Sequence, residues 1–144
     1  MPNWCSNYLM VSGPQADLDR MRREVSSKDC SLDFELILPT PRALLGGEGW
    51  YDWRCSNWGT KWKADLFDCE VSKQHLKYSF YTAWSPACGL IEVLGANYPS
   101  LTFDLNYDEP GCGFIGQMLI EEGKLVKNEC RDFTEAEMDE MYGE

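Results

Sequence analysis

Four of the chain's six tryptophans fall between Trp50 and Trp62, in a stretch punctuated by Gly46, Gly47, Gly49 and Gly59. Indoles are very large apolar side chains, and each carries an N–H that needs an acceptor once buried. A chain that places Trp50, Trp53, Trp58 and Trp62 so close together must build a core around them or spread them as a recognition surface. The glycines interrupt any regular period, so residues 42–60 read as a long ordered insertion without helix or strand.

The flanking sequence is more regular. Asn3 to Val11 alternates, with Trp4, Tyr8 and Met10 on one side and Cys5, Leu9 and Val11 on the other, which predicts a strand. Pro14 suits the first turn of a helix that aligns Leu18, Met21 and Val25. The apolar run Leu32 to Leu38 reads as a short strand ended by Pro39-Thr40-Pro41. Trp62–Phe67 and Leu76–Thr82 predict a hairpin turning at Ser72–His75. Ser85-Pro86 opens a helix with Leu90, Ile91 and Leu94 on its apolar side. Leu101, Phe103, Leu105 and Tyr107 then alternate with polar residues as a half-buried strand. Cys112–Ile120 and Leu125–Glu129 flank Glu122-Gly123 as a terminal hairpin. Thr134-Glu135-Ala136-Glu137 is a capping box for an acidic helix within residues 131–144. This order predicts an α+β fold in one domain spanning residues 1–144. Its core is a ferredoxin-like β-α-β-β-α-β sandwich, with a tryptophan-rich insertion and an added C-terminal β-hairpin. Helices on one face leave the other face of the sheet bare, and the insertion is expected to cover it.

At 144 residues the chain can bury a real core. Its net charge of −11 opposes binding to duplex nucleic acid, whose affinity rests on neutralised phosphates. The charge is uneven. Residues 131–144 carry one arginine and six carboxylates, whereas residues 42–63 carry four basic and two acidic side chains. A bound anion would therefore choose the tryptophan segment. No apolar run reaches the roughly 18–20 residues that span a bilayer. Met1-Pro2-Asn3-Trp4-Cys5 lacks the basic and hydrophobic parts of a secretory signal, so a cytoplasmic location without a membrane partner is expected. The seven cysteines are scattered, odd in number and without a C-x-x-C pair, and His75 is the single histidine. They read as reduced, mostly buried thiols, with neither metal nor cofactor expected.

Several blocks in series carry a resemblance. Met1-Pro2-Asn3-Trp4-Cys5-Ser6-Asn7, Trp58-Gly59-Thr60-Lys61-Trp62, Thr82-Ala83-Trp84-Ser85-Pro86, Tyr107-Asp108-Glu109 and Gly113-Phe114-Ile115-Gly116 resemble the signature blocks of the YubB-like family. The resemblance covers roughly residues 2–120, and Ala87 departs from the doubled proline expected after Ser85. It implies a ferredoxin-like accessory protein of plasmids and phages, and it supplies no catalytic residues.

The candidate binding residues are Trp50, Trp53, Arg54, Trp58, Thr60, Lys61, Trp62 and Trp84. Indoles beside a lysine suit a protein hot spot, and they equally suit stacked bases with a phosphate nearby. The alternative is that Trp58 and Trp62 are core, packed on Trp4 and Trp84. His75 reads as an exposed turn residue and Asp108-Glu109-Pro110-Gly111 as an ordinary acidic turn. The expected function is that of a non-enzymatic accessory binding protein of a phage or plasmid that recognises a host component, such as a counter-defence target, with a host protein as its expected partner. The rivals are a nucleotide or single-stranded nucleic-acid binder and a phosphodiester hydrolase using His75 or Asp104.

Overall fold

The computed structural model describes residues 3–142. The alternation at the N-terminus forms β1, Trp4–Ser12, in which Cys5, Asn7, Leu9 and Val11 are fully buried. Helix α1, Gln15–Val25, follows Pro14 and buries Leu18, Met21 and Val25. Asp17 in its first turn and Arg22 and Arg23 in its last complement the helix dipole.

The run after α1 is not a strand. Asp33 caps a short helix, α2 (Phe34–Ile37), by accepting a hydrogen bond from the Glu35 N–H at 2.9 Å. Phe34 and Ile37, three apart, turn inward while Leu36 is exposed. A run this short satisfies either period, and the cap decides it. A single 3-10 turn at Arg42–Leu44 leads to α3, Gly49–Asn57, within the segment expected to lack regular structure.

Strands β2 (Asp65–Ser72) and β3 (His75–Ala83) form the central hairpin. Helix α4, Cys88–Asn97, starts later than Ser85-Pro86 suggests and buries Leu90, Ile91 and Leu94. Then come β4 (Thr102–Glu109), β5 (Phe114–Glu121) and β6 (Lys124–Asp132). Glu122 and Gly123, both with positive φ, make the two-residue turn between β5 and β6. Helix α5, Glu135–Tyr142, opens with the expected capping box. Glu137 N–H donates to Thr134 Oγ1 at 3.2 Å, and Thr134 N–H donates to Glu137 Oε1 at 2.9 Å.

The six strands form one antiparallel sheet in the order β2-β3-β1-β4-β5-β6. Each crossover helix, α1 and α4, carries the chain to a non-adjacent strand, so the first four strands have the ferredoxin-like arrangement. Leu9, Val11, Phe80, Phe103 and Leu105 meet Leu18, Met21, Phe34, Leu90 and Ile91 in the core between sheet and helices.

The insertion does not cover the other face. Trp58 is fully buried on the helix side, its ring 5.4 Å from Phe34 and 6.1 Å from Trp53. Its indole N–H donates to the Leu38 carbonyl at 2.8 Å. Helix α3 accordingly packs beside α4. The largest apolar side chain of the segment finds both its burial and its acceptor in the helical layer, which draws the insertion there and leaves the opposite sheet face bare.

Candidate functional site

Trp58-Gly59-Thr60-Lys61-Trp62 links the two sides of the molecule. Trp58 lies in the core, Thr60 is buried with its hydroxyl donating to the Ala83 carbonyl at 2.9 Å, and Trp62 emerges beside Trp4. The block also locks onto the start of α4. Leu90 N–H donates to the Trp58 carbonyl at 3.2 Å, and the Ser85 hydroxyl donates to the Gly59 carbonyl. Gly59 sits at φ +94°, and a Cβ there would lie 2.7 Å from the Pro86 oxygen; at Gly89 it would lie 2.2 Å from the Asn57 oxygen. Only residues without a side chain allow these two backbones to approach so closely.

Arg54 is engaged inside this knot. Its guanidinium donates to Thr40 Oγ1 at 3.1 Å, the Lys61 carbonyl at 3.3 Å and Glu35 Oε2 at 3.4 Å. It also lies over Trp58 at 4.7 Å and over Trp50 at 5.0 Å. The side chain expected to meet an anion is a staple between α2, α3 and the following loop. Trp50 and Trp53 are half-buried around it. Of the eight candidates, Trp62 and Trp84 are thus the strongly exposed aromatics, and Lys61 lies 4.3 Å above the Trp62 ring.

Trp62 joins a larger group that the insertion-centred reading missed. On the bare face Trp4 and Tyr8 of β1, Phe67 of β2 and Tyr81 of β3 are each between 37% and 47% exposed. Trp4 and Trp62 are 6.1 Å apart, Tyr8 and Phe67 6.3 Å, and Phe67 and Tyr81 4.6 Å. Tyr81 lies across from Ser6, between Trp4 and Tyr8, so the rings form a diagonal band over three strands. A bulge between Leu66 and Asp68 disposes Phe67 onto this band. The period-two pattern of β1 held this signal, since it put Trp4, Tyr8 and Met10 together.

The surroundings of the band are acidic. Asp65, Asp68 and Glu70 lie across from Tyr81, Ser79 and Lys77, and Asp104 and Asp108 lie across from Met10 and Ser6. Against these carboxylates the four strands set Lys77. Burial, and then neighbouring Glu109, raise the Asp108 carboxyl above its ordinary value. Glu109 itself points to the other side, where its carboxylate accepts from the N–H groups of Gly111 and Cys112 and closes the turn. Trp84 is 45% exposed with φ 68°, a strained conformation for a bulky residue, and its N–H donates to the Asn3 carbonyl beside the band.

The other marked residues lie elsewhere. His75 is exposed at the β2–β3 turn, its Nδ1 3.2 Å from the Lys73 carbonyl oxygen, and Asp104 binds Gln117 at 2.8 Å. Among the described residues no three His, Cys, Asp or Glu side chains group as metal ligands would. The seven cysteines are all unpaired, yet only Cys5 is fully buried, while Cys55, Cys112 and Cys130 are exposed. The expectation of mostly buried thiols fails because α3, the β4–β5 turn and β6 present Cys55, Cys112 and Cys130 to solvent. No helix of the described residues is long and apolar enough to cross a membrane.

A family model described as the ferredoxin-like domain in Api92-like protein matches residues 57–143. That segment runs from the end of α3 through α5 and omits β1, the strand lying between β3 and β4. The crystal structure of protein api92 from Yersinia pseudotuberculosis resembles this chain with a TM-score of 0.71 at 11% identity. The likeness covers 93% of this chain and 99% of that one, and at such identity it speaks for the fold alone. No curated protein matches the sequence.

Proposed function

We propose that this chain, which belongs to the Api92-like family through its ferredoxin-like domain, works by binding a basic segment of a partner protein on the bare sheet face. One observation carries the reading: Trp4, Trp62, Tyr8, Phe67 and Tyr81 stand exposed in one band bordered by carboxylates. Aromatic faces attract guanidinium and ammonium groups, and the surrounding carboxylates add long-range attraction for the same cations. The YubB-like motif blocks support the setting, an accessory protein of a phage or plasmid whose partner is a host protein.

Aromatic rings on the central strands of such a sheet also suit stacked bases. Charge decides between the two ligands. A phosphate backbone would meet Asp65, Asp68, Glu70, Asp104 and Asp108 on a chain of net charge −11, against which stand Lys77 and, over Trp62, Lys61, while Arg54 is engaged by Glu35. Repulsion of that kind removes the electrostatic term on which nucleic-acid affinity rests.

The test is fluorescence anisotropy with a labelled arginine-rich peptide and, separately, a labelled oligothymidylate. The reading expects peptide binding that weakens with salt and is lost in a Phe67→Ala, Tyr81→Ala double variant. It also expects binding to survive neutralisation of Glu135 and Glu140 on α5. Binding of the oligonucleotide in preference to the peptide would reject it, as would peptide binding indifferent to the aromatic substitutions.

A further inference from the structure

The two edges of the sheet differ in a way that the bare face does not explain. At one edge β2 carries Asp65, Asp68 and Glu70 as its only charges, so antiparallel pairing of β2 with itself would bring carboxylates together without a cation. Such like-charge patterning is a means of preventing edge-to-edge association. At the other edge β6 is exposed at all nine positions, including Leu125 and Val126. Its one ladder partner in the sheet is β5.

Charges along β6 reverse about Asn128. Lys127 and Glu129 stand one residue to either side, and Lys124 and Asp132 stand four residues to either side. We infer that a second copy of this chain pairs with it antiparallel through β6, about a two-fold axis at Asn128, making one sheet continuous across both copies. In that register each Lys127 opposes the other copy's Glu129 and Val126 opposes Cys130, while the bulge at Val126 turns Lys124 to the face opposite Asp132. Arg131 has no opposed charge there and is engaged by Glu137 of its own chain at 2.7 and 3.1 Å, while Lys127 and Glu129, 3.6 Å apart within each chain, would alternate in sign with the other copy's pair. Two-fold pairing of identical strands keeps helices on the same side in both copies and leaves the aromatic bands on one common surface.

Neighbouring registers are worse. Centring on Glu129 sets that carboxylate against itself and Lys127 against Arg131, and centring on Lys127 sets that lysine against itself. Centring on Cys130 opposes Glu129 to Arg131 but overlaps only residues 128–132, against the whole strand for the Asn128 register. The bulge between Leu119 and Ile120 makes Val126 the extra residue of β6. The bend therefore falls opposite the small Cys130 side chain.

Sedimentation equilibrium of the full chain tests the pairing. The wild type forms a concentration-dependent dimer. Lys127→Glu or Glu129→Lys alone weakens it about tenfold or more, since each converts two opposed pairs to like charge. The combined Lys127→Glu, Glu129→Lys exchange restores it to within about threefold, because opposition is regained with signs swapped. Oxidation of Asn128→Cys, with the exposed cysteines replaced by serine, links the two copies at the axis. Far-UV circular dichroism shows that every variant keeps its fold. A monomer at all concentrations, reversals without effect, or a charge exchange that fails to rescue would overturn the proposal. Crosslinking through native Cys130 with none at Asn128→Cys would replace this register by the one centred on Cys130.

Discussion

Replacing Trp58 with phenylalanine separates the structural from the recognitive tryptophans. The indole is fully buried, donates to the Leu38 carbonyl at 2.8 Å, and supports Arg54 at 4.7 Å. Phenylalanine keeps an aromatic edge for Phe34 but removes the donor, stranding a partly buried carbonyl at a cost of about 1–2 kcal/mol. The smaller ring leaves a void beside Trp53 and Phe34 worth about 1–2 kcal/mol. Weaker stacking of Arg54 adds roughly 0.5 kcal/mol. The sum is about 2.5–4.5 kcal/mol, a large share of the roughly 5–15 kcal/mol typical of a domain. Urea denaturation followed by far-UV circular dichroism reads this loss as a lower midpoint, with unchanged slope if both states keep their extent. Trp62→Phe, at a ring 39% exposed, stays within about 0.5 kcal/mol of the wild type. A Trp58→Phe loss under about 0.5 kcal/mol, or a Trp62→Phe loss equal to it, would refute the division of the block between core and surface.

Gly89→Ala places a Cβ 2.2 Å from the Asn57 oxygen and should cost at least about 2 kcal/mol by thermal melting, whereas Gly46→Ala, with nothing within 4 Å, should be neutral or slightly stabilising. Glu137 is held down to about 2 from 4.5, first by hydrogen bonding to Arg131 and then by the Thr134 N–H. A depressed folded pKa gives stability that is present above the unfolded value and lost as pH falls through the folded one. The Arg131–Glu137 contact and the start of α5 should therefore release between pH 4.5 and about 2, seen as amide shifts at Thr134 and Glu137 that Glu137→Gln removes at all pH. Asp108 has the opposite sign: burial raises its folded pKa, so its contribution to stability falls as pH rises from 3.8 toward the raised value. Asp108→Asn should flatten that decline in a pH series of urea midpoints.

Elements with one dominant period were legible in the chain. β1 and β4 alternate, α1 repeats at three and four residues, and Glu122-Gly123 and the Thr134–Glu137 box carry their own local chemistry. Leu32–Leu38 was ambiguous because Leu32, Phe34, Leu36 and Leu38 fit a period of two while Phe34, Ile37 and Leu38 fit a helical one, and a single Asp33 cap tipped it to helix. α3 was hidden for another reason. It is held by Arg54, Glu35 and Thr40 from distant positions rather than by an amphipathic stripe, so no local pattern announces it. The aromatic band was half visible: β1 put Trp4 and Tyr8 on one side, but which layer would receive Trp58 depended on a carbonyl at Leu38. Once that layer was the helical one, the opposite face remained open.

Trp4–Ser12 pairs with residues 75–83 on one flank and 102–108 on the other. This inner strand is therefore synthesised before both of its neighbours and cannot be fully seated until the second of them is made. Contacts so distant along the chain slow folding, and an intermediate lacking them would present two raw ladders in the middle of the sheet. A fragment beginning near Asn57 inherits that gap permanently: β3 and β4 would face one another across a missing strand.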